Sequence, residues 1–124
     1  MKKSVVPHKT ASSSTLRLDE LIQQTHTLQE AGRFEDALAL YEEWLSTTEV
    51  PNQYVALFNC GSLLQSLGKL AQTEAMYREC LVAHPNLAQA AINLGLVLEK
   101  QGKTDDALQQ WAQVVSRGLL ANGT

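Results

Sequence analysis

An all-α fold of three antiparallel helix pairs is predicted by the spacing of three glycines and by the apolar pattern around them. Gly68 and Gly102 open similar segments, "GKLAQTEAMYRECLVAHP" and "GKTDDALQQWAQVVS", 34 residues apart. Gly32 opens a third, "GRFEDALALYEEWL", 36 residues before Gly68. On both sides of each glycine, apolar residues recur at the three-and-four spacing of an amphipathic helix. A period of this size, with glycine between two helical patterns, marks a solenoid of stacked helical hairpins. Such a stack points to a binding scaffold rather than a catalyst.

Residues 1–14 are polar, Ser-rich and without period, and read as a flexible leader. Ser14 or Thr15 suits the N-cap of the helix that follows. Leu18, Leu21, Ile22, Thr25 and Leu28 form the stripe of that helix, which ends before Gly32. Its return helix is predicted from about Phe34 to Leu45, with Ala37, Leu38, Tyr41, Trp44 and Leu45 inward. The loop "STTEVPNQ" takes up the two extra residues; Pro51 halts the preceding structure and Asn52 caps the next helix. The second pair runs over 53–67 and 70–83, with Leu57, Cys60, Gly61 and Leu64 facing Leu70, Met76, Tyr77, Cys80 and Leu81. Pro85 and Asn86 punctuate the chain again. The third pair sets Ala91, Leu94, Gly95 and Leu98 on one helix and Ala107, Leu108, Trp111, Val114 and Val115 on the other. Thr104 is expected to cap that last helix, and Asp105 and Asp106 sit where the helix dipole favours negative charge.

Small residues recur where helices must touch. Gly61 and Gly95 let the first helix of a pair approach its partner closely. Ala37, Thr73 and Ala107 hold equivalent slots on the second helices, each followed four residues later by a ring, Tyr41, Tyr77 or Trp111. A small residue and a ring at i+4 share one helix face and suit a tight crossing beside a filled groove. The three rings are expected in the core.

A chain of 124 residues allows one domain, and 44% hydrophobic content is ordinary for a globular protein. The net charge of −3 argues against nucleic acid as a partner, which needs clustered lysine and arginine. No apolar stretch is long enough to span a bilayer, so no membrane partner is expected. "MKKSVVPHKT" lacks the apolar centre of a signal peptide, which leaves a cytoplasmic location as the expectation. Cys60 and Cys80 read as buried free thiols, since no CxxC or His-Cys cluster accompanies them. His8, His26 and His84 are scattered, and no nucleophile, base and acid converge, so neither catalysis nor a cofactor or metal is expected.

These residues resemble the tetratricopeptide repeat. The third copy, "NLG…L…QGKTDDALQQW", fits its pattern of Leu-Gly, turn glycine, alanine and aromatic. The second, "NCG…L…LGKLAQTEAMY…HP", fits with Thr73 in place of the alanine. The first departs, with Gln24 and Thr25 for the Leu-Gly pair and Trp44 in a slot usually held by alanine. The resemblance covers about residues 16–117 and implies a right-handed superhelical solenoid of three helix-turn-helix repeats, at about 18–51, 54–87 and 88–117, within a domain over 15–117. Residues 118–124 read as a tail leading into further sequence. A narrower likeness, to the leading repeats of bacterial SPINDLY-type O-linked N-acetylglucosamine transferases, implies a non-catalytic front end of such an enzyme.

In stacked hairpins the first helices line the concave face. Here that face collects Gln23 and His26, with Ile22 and Glu30 beside them, from the first repeat. The second repeat supplies Val55, Phe58, Asn59, Ser62 and Gln65. The third supplies Gln89, Ile92, Asn93, Leu96 and Lys100. Amides mixed with exposed apolar groups suit an extended peptide, because an Asn side chain both donates and accepts. Asn59 and Asn93 stand one period apart. In the O-linked N-acetylglucosamine transferases asparagines in this slot hold peptide backbone, and the resemblance implies the same here, with Gln23 departing from it. Cochaperone repeats that clamp acidic C-terminal tails place cations where this chain has Ile22, Gln89 and Asn93, so an EEVD-type peptide is not an expected ligand. The alternative is an assembly module. It would use the open C-terminal end or the convex face: with Leu119 and Leu120 near the end and no capping helix, Leu108 and Val115 are left partly bare, and either further sequence, the favoured expectation, or another subunit covers them, with self-association through the open end as a by-product.

Overall fold

The computed structural model describes residues 16–47 and 53–118. They form six helices: α1 (Leu18–Glu30), α2 (Phe34–Thr47), α3 (Gln53–Ser66), α4 (Leu70–Ala83), α5 (Ala88–Lys100) and α6 (Thr104–Ser116). No strand occurs among the described residues. The leader, the loop carrying Pro51 and Asn52, and Leu119 and Leu120 lie outside them. The chain forms two compact units, Met1–Ala56 and Leu57–Thr124, so the boundary falls in the first turn of α3.

The three glycine turns are copies of one device. Gly32, Gly68 and Gly102 have φ of 77°, 77° and 82°, a region that costs a residue with a Cβ about 1–2 kcal/mol. In each, the glycine N–H bonds the carbonyl three residues back and the next N–H the carbonyl five back. Gly102 N to Glu99 O is 2.9 Å and Lys103 N to Leu98 O is 2.8 Å. This double bond pattern closes the orphan carbonyls at a helix end and reverses the chain.

The helix starts differ from expectation. α1 begins at Leu18 with Arg17, not Ser14 or Thr15, in the cap position, and the Glu20 carboxylate accepts the Arg17 backbone N–H at 2.9 Å. The reach of Glu20 back to the chain does the work of a hydroxyl cap. Thr104 likewise does not cap α6: it is the first helical residue, and Lys103 occupies the cap position without a side-chain bond. Asp105 and Asp106 do lie in the first turn.

In the first unit, Leu21 and Thr25 of α1 pack on Ala37, Leu38, Tyr41 and Trp44 of α2, all buried. Thr25 holds the slot that glycine holds in the later copies. Its Oγ1 donates to the Leu21 carbonyl (2.9 Å) and lies 3.0 Å from the Tyr41 hydroxyl, so the buried hydroxyl is satisfied. Trp44, only 1% exposed, donates its indole N–H to the Leu16 carbonyl at 2.9 Å and ties the segment before α1 to the pair.

In the second unit, Tyr77, Leu94, Val97, Leu98 and Ala107 form one core cluster, with Phe58, Leu70, Leu81 and Trp111 packed against it. α5 contacts both α4 and α6. It therefore buries two faces rather than one stripe, which is why Ala90 and Val97 are buried although neither belongs to the predicted stripe. The glycines act as expected. A Cβ on Gly61 would lie 2.8 Å from Tyr77 Cε1, and one on Gly95 would collide with the Trp111 indole, 2.5 Å from Cε2. Tyr41 and Tyr77 are core, whereas Trp111 is half-buried.

Candidate functional site

The predicted site residues divide between the two units. Gln23 and His26 are exposed on α1, where His26 Nε2 lies 3.1 Å from Glu30 Oε2. Val55 is half-buried in the first turn of α3 and also belongs to the first unit. The remaining nine lie in the second unit, on α3 and α5.

The hydroxyl of Tyr77 brings several of these nine together. It donates to Gln65 Oε1 at 3.0 Å, accepts from Asn93 Nδ2 at 3.4 Å and lies 3.2 Å from Ser62 Oγ. With its one proton given to Gln65, the phenol oxygen has room for a proton from Ser62 as well as that from Asn93. One core ring thus links α3 and α5 at their shared face. The chain continues outward, because Gln89 Nε2 donates to Asn93 Oδ1 at 2.9 Å. Phe58 packs beside the same ring, with centroids 5.7 Å apart and planes tilted by 40°. Ile92 is half-buried, and its carbonyl takes the Trp111 N–H at 3.2 Å. Leu96 and Lys100 are exposed farther along α5, and Asn59 is half-buried on α3 outside the Tyr77 network.

Two features escaped the sequence reading. Tyr77 was expected in the core by its ring, but its hydroxyl emerges among the predicted site residues, and four-residue periodicity carries no information about a para oxygen. Glu74 is the second. Its carboxylate takes Gln101 Nε2 at 2.9 Å, Lys103 Nζ at 3.1 Å and Arg78 Nε at 2.9 Å. These partners, the Gln101 hydrogen bond first, hold its pKa at about 2.

A cleft of about 370 Å³ opens elsewhere on the second unit, lined by Arg78, Leu81, Val82, Pro85 and Arg117 among others, and by none of the predicted site residues. A shallower depression of about 540 Å³ on the first unit is lined by Glu20, Gln23, Gln24, Thr27 and Leu28. Cys60 and Cys80 are buried thiols not joined in a disulfide, and burial pushes the Cys80 thiol up to about 11, so it stays protonated and unreactive at neutral pH. Among the described residues no group of three or more His, Cys, Asp or Glu is placed to hold a metal, and no helix is long and apolar enough to cross a membrane.

Comparison with known proteins agrees with the helix pairs. Two profiles described as "Tetratricopeptide repeat" match residues 87–122 and 21–43. Among solved structures, 58 chains match. One is the crystal structure of MamA, with a TM-score of 0.71 and 17% identity over 88% of this chain. The match spans 63% of the MamA chain, and at this identity it carries the fold alone. No curated protein sequence matches significantly. The matches reach the repeat and not the narrower transferase resemblance. With three helix pairs, each closed by the same glycine turn, and profile matches to the first and third of them, the chain has the repeat pattern of a tetratricopeptide-repeat protein.

Proposed function

We propose that this chain is a protein-interaction scaffold whose α3/α5 face holds an extended peptide. One observation carries the reading: Ser62, Gln65 and Asn93 are held in place around the Tyr77 hydroxyl, beside half-exposed Phe58 and Ile92. Amides pre-arranged on packed helices lose little freedom when they take up a peptide backbone, and the neighbouring apolar groups supply the contact area. The test is capture of unstructured peptides from an overlapping array by the wild type and by Asn59→Ala with Asn93→Ala. The double variant is expected to lose about tenfold in affinity, a hydrogen bond or two, with its helical signal intact. Full retention of the captured peptides would remove the reading. Recruitment of substrate to an attached glycosyltransferase is its narrower form, supported by the resemblance of the repeats. A transferase module encoded past codon 124 would sustain that form, and a different module or a stop would end it.

Assembly is a second reading, favoured by Leu108 and Val115, which are 55% and 67% exposed one turn-pair apart on α6. Leu108→Glu with Val115→Glu is expected to abolish any concentration-dependent mass in light scattering. Unchanged association in that variant would exclude this surface.

A further inference from the structure

We propose that the cleft lined by Arg78, Leu81, Val82, Pro85, Val114 and Arg117 is a second binding site, for a peptide carrying an aliphatic side chain beside a carboxylate. Its volume of about 370 Å³ suits a leucine-sized group with one flanking acid, at the lower end of ligand-pocket sizes. The floor is apolar: Ala91, Leu94 and Val114 are buried and Leu81 is half-buried. The rim is polar and of one sign. Both charged lining residues are arginines and no carboxylate lines the cleft, in a chain whose net charge is −3.

The two arginines are differently committed. Arg78 donates through Nε to Glu74, so part of its charge is answered within the fold. Arg117 hydrogen-bonds through Nη1 to the neutral carbonyl of Pro85 at 3.1 Å. That bond fixes the guanidinium at the mouth while one of its five N–H groups is used, and a carboxylate matches the geometry of the rest. Helix pairing does not call for either cation: one period away the equivalent positions hold Ala112 for Arg78 and Ala83 for Arg117. Val82, on the same rim, is 83% exposed and contributes nothing to the core. An aliphatic floor, an exposed valine and a held guanidinium fit one kind of occupant, an acidic peptide with an aliphatic anchor. This site is separate from the α3/α5 face and stands or falls independently of it.

The probe is acetyl-Gly-Glu-Leu-Glu-Gly-amide titrated into the isotope-labelled full chain, with amide shifts read by NMR. Shifts are expected at Val82, Val114 and Arg117, with affinity falling about tenfold for the Lys-Leu-Lys and Glu-Ser-Glu counterparts. Arg117→Glu, at an exposed position, is expected to weaken binding at least as much, and Val82→Glu supplies a second variant on the rim. Circular dichroism shows that each variant is folded. Shifts confined to Phe58, Asn59 and Asn93 would overturn the proposal while supporting the α3/α5 face. Equal response to the lysine peptide, or no response to any of the three, would overturn it outright.

Discussion

Replacing Gly95 with alanine sets two well-known effects against each other, and the structure decides the sign. In an open helix interior, alanine stabilises by about 1 kcal/mol relative to glycine. At this position the added Cβ would meet the Trp111 indole, 2.5 Å from Cε2 and 2.7 Å from Cδ1. The ring must therefore move, and overpacking of this kind costs about 1–3 kcal/mol. Movement also breaks the bond from Trp111 Nε1 to the Ile92 carbonyl, worth about 1 kcal/mol. The sum is a net destabilisation of about 1–3 kcal/mol. Urea unfolding measures it as a lower midpoint at unchanged slope, and the Trp111 indole N–H resonance should shift toward its solvent-exposed position. A variant more stable than the wild type by the propensity difference alone would refute the claim that the ring seats on this glycine.

Two further outcomes follow from the hydrogen-bond networks. The Glu74 pKa is about 2 in the fold against 4.5 ordinarily, so its partners stabilise the protein fully above pH 4.5. That contribution, on the order of 2–3 kcal/mol, is lost as pH falls from 4.5 toward 2, and Glu74→Gln should flatten that limb of the stability profile measured by urea titration. An unchanged acid limb in the variant would show that the carboxylate is not held by Gln101, Arg78 and Lys103. Tyr77→Phe keeps the ring and removes the hydroxyl that joins Ser62, Gln65 and Asn93. Those partners are half-buried and water reaches them, so the expected cost is about 1–2 kcal/mol in thermal or chemical unfolding, and no cost at all would mean the network contributes nothing.

The helix pairs were legible in the sequence because each level of it agrees: glycine spacing, apolar stripes and small-large pairs all name the same hairpin. The turn glycines and the α4 bounds fall where the period puts them. What was not legible depends on side chains that do something periodicity does not describe. Thr104 has the right chemistry for a cap, but α6 starts on it rather than after it, and one residue of register changes its role. Thr25 departs from the Leu-Gly pattern, yet its hydroxyl satisfies itself on the preceding turn and on Tyr41, so the pair closes without the glycine. The Glu74 cluster joins residues 27 and 29 positions apart, a separation no local pattern reports.

Asn59 and Asn93 show how far equivalence in sequence extends. They stand one period apart on the same stripe and read as two rungs of one ladder. Asn93, however, spends its Nδ2 on Tyr77 and its Oδ1 on Gln89, whereas Asn59 stands outside that network. A peptide that takes the amide of Asn93 must replace bonds the fold already makes, and gains only the difference. A peptide on Asn59 displaces water instead. The two rungs therefore carry different duties: Asn93 couples the candidate binding face to the core ring beneath it, and Asn59 is the one whose loss should weaken capture without touching stability.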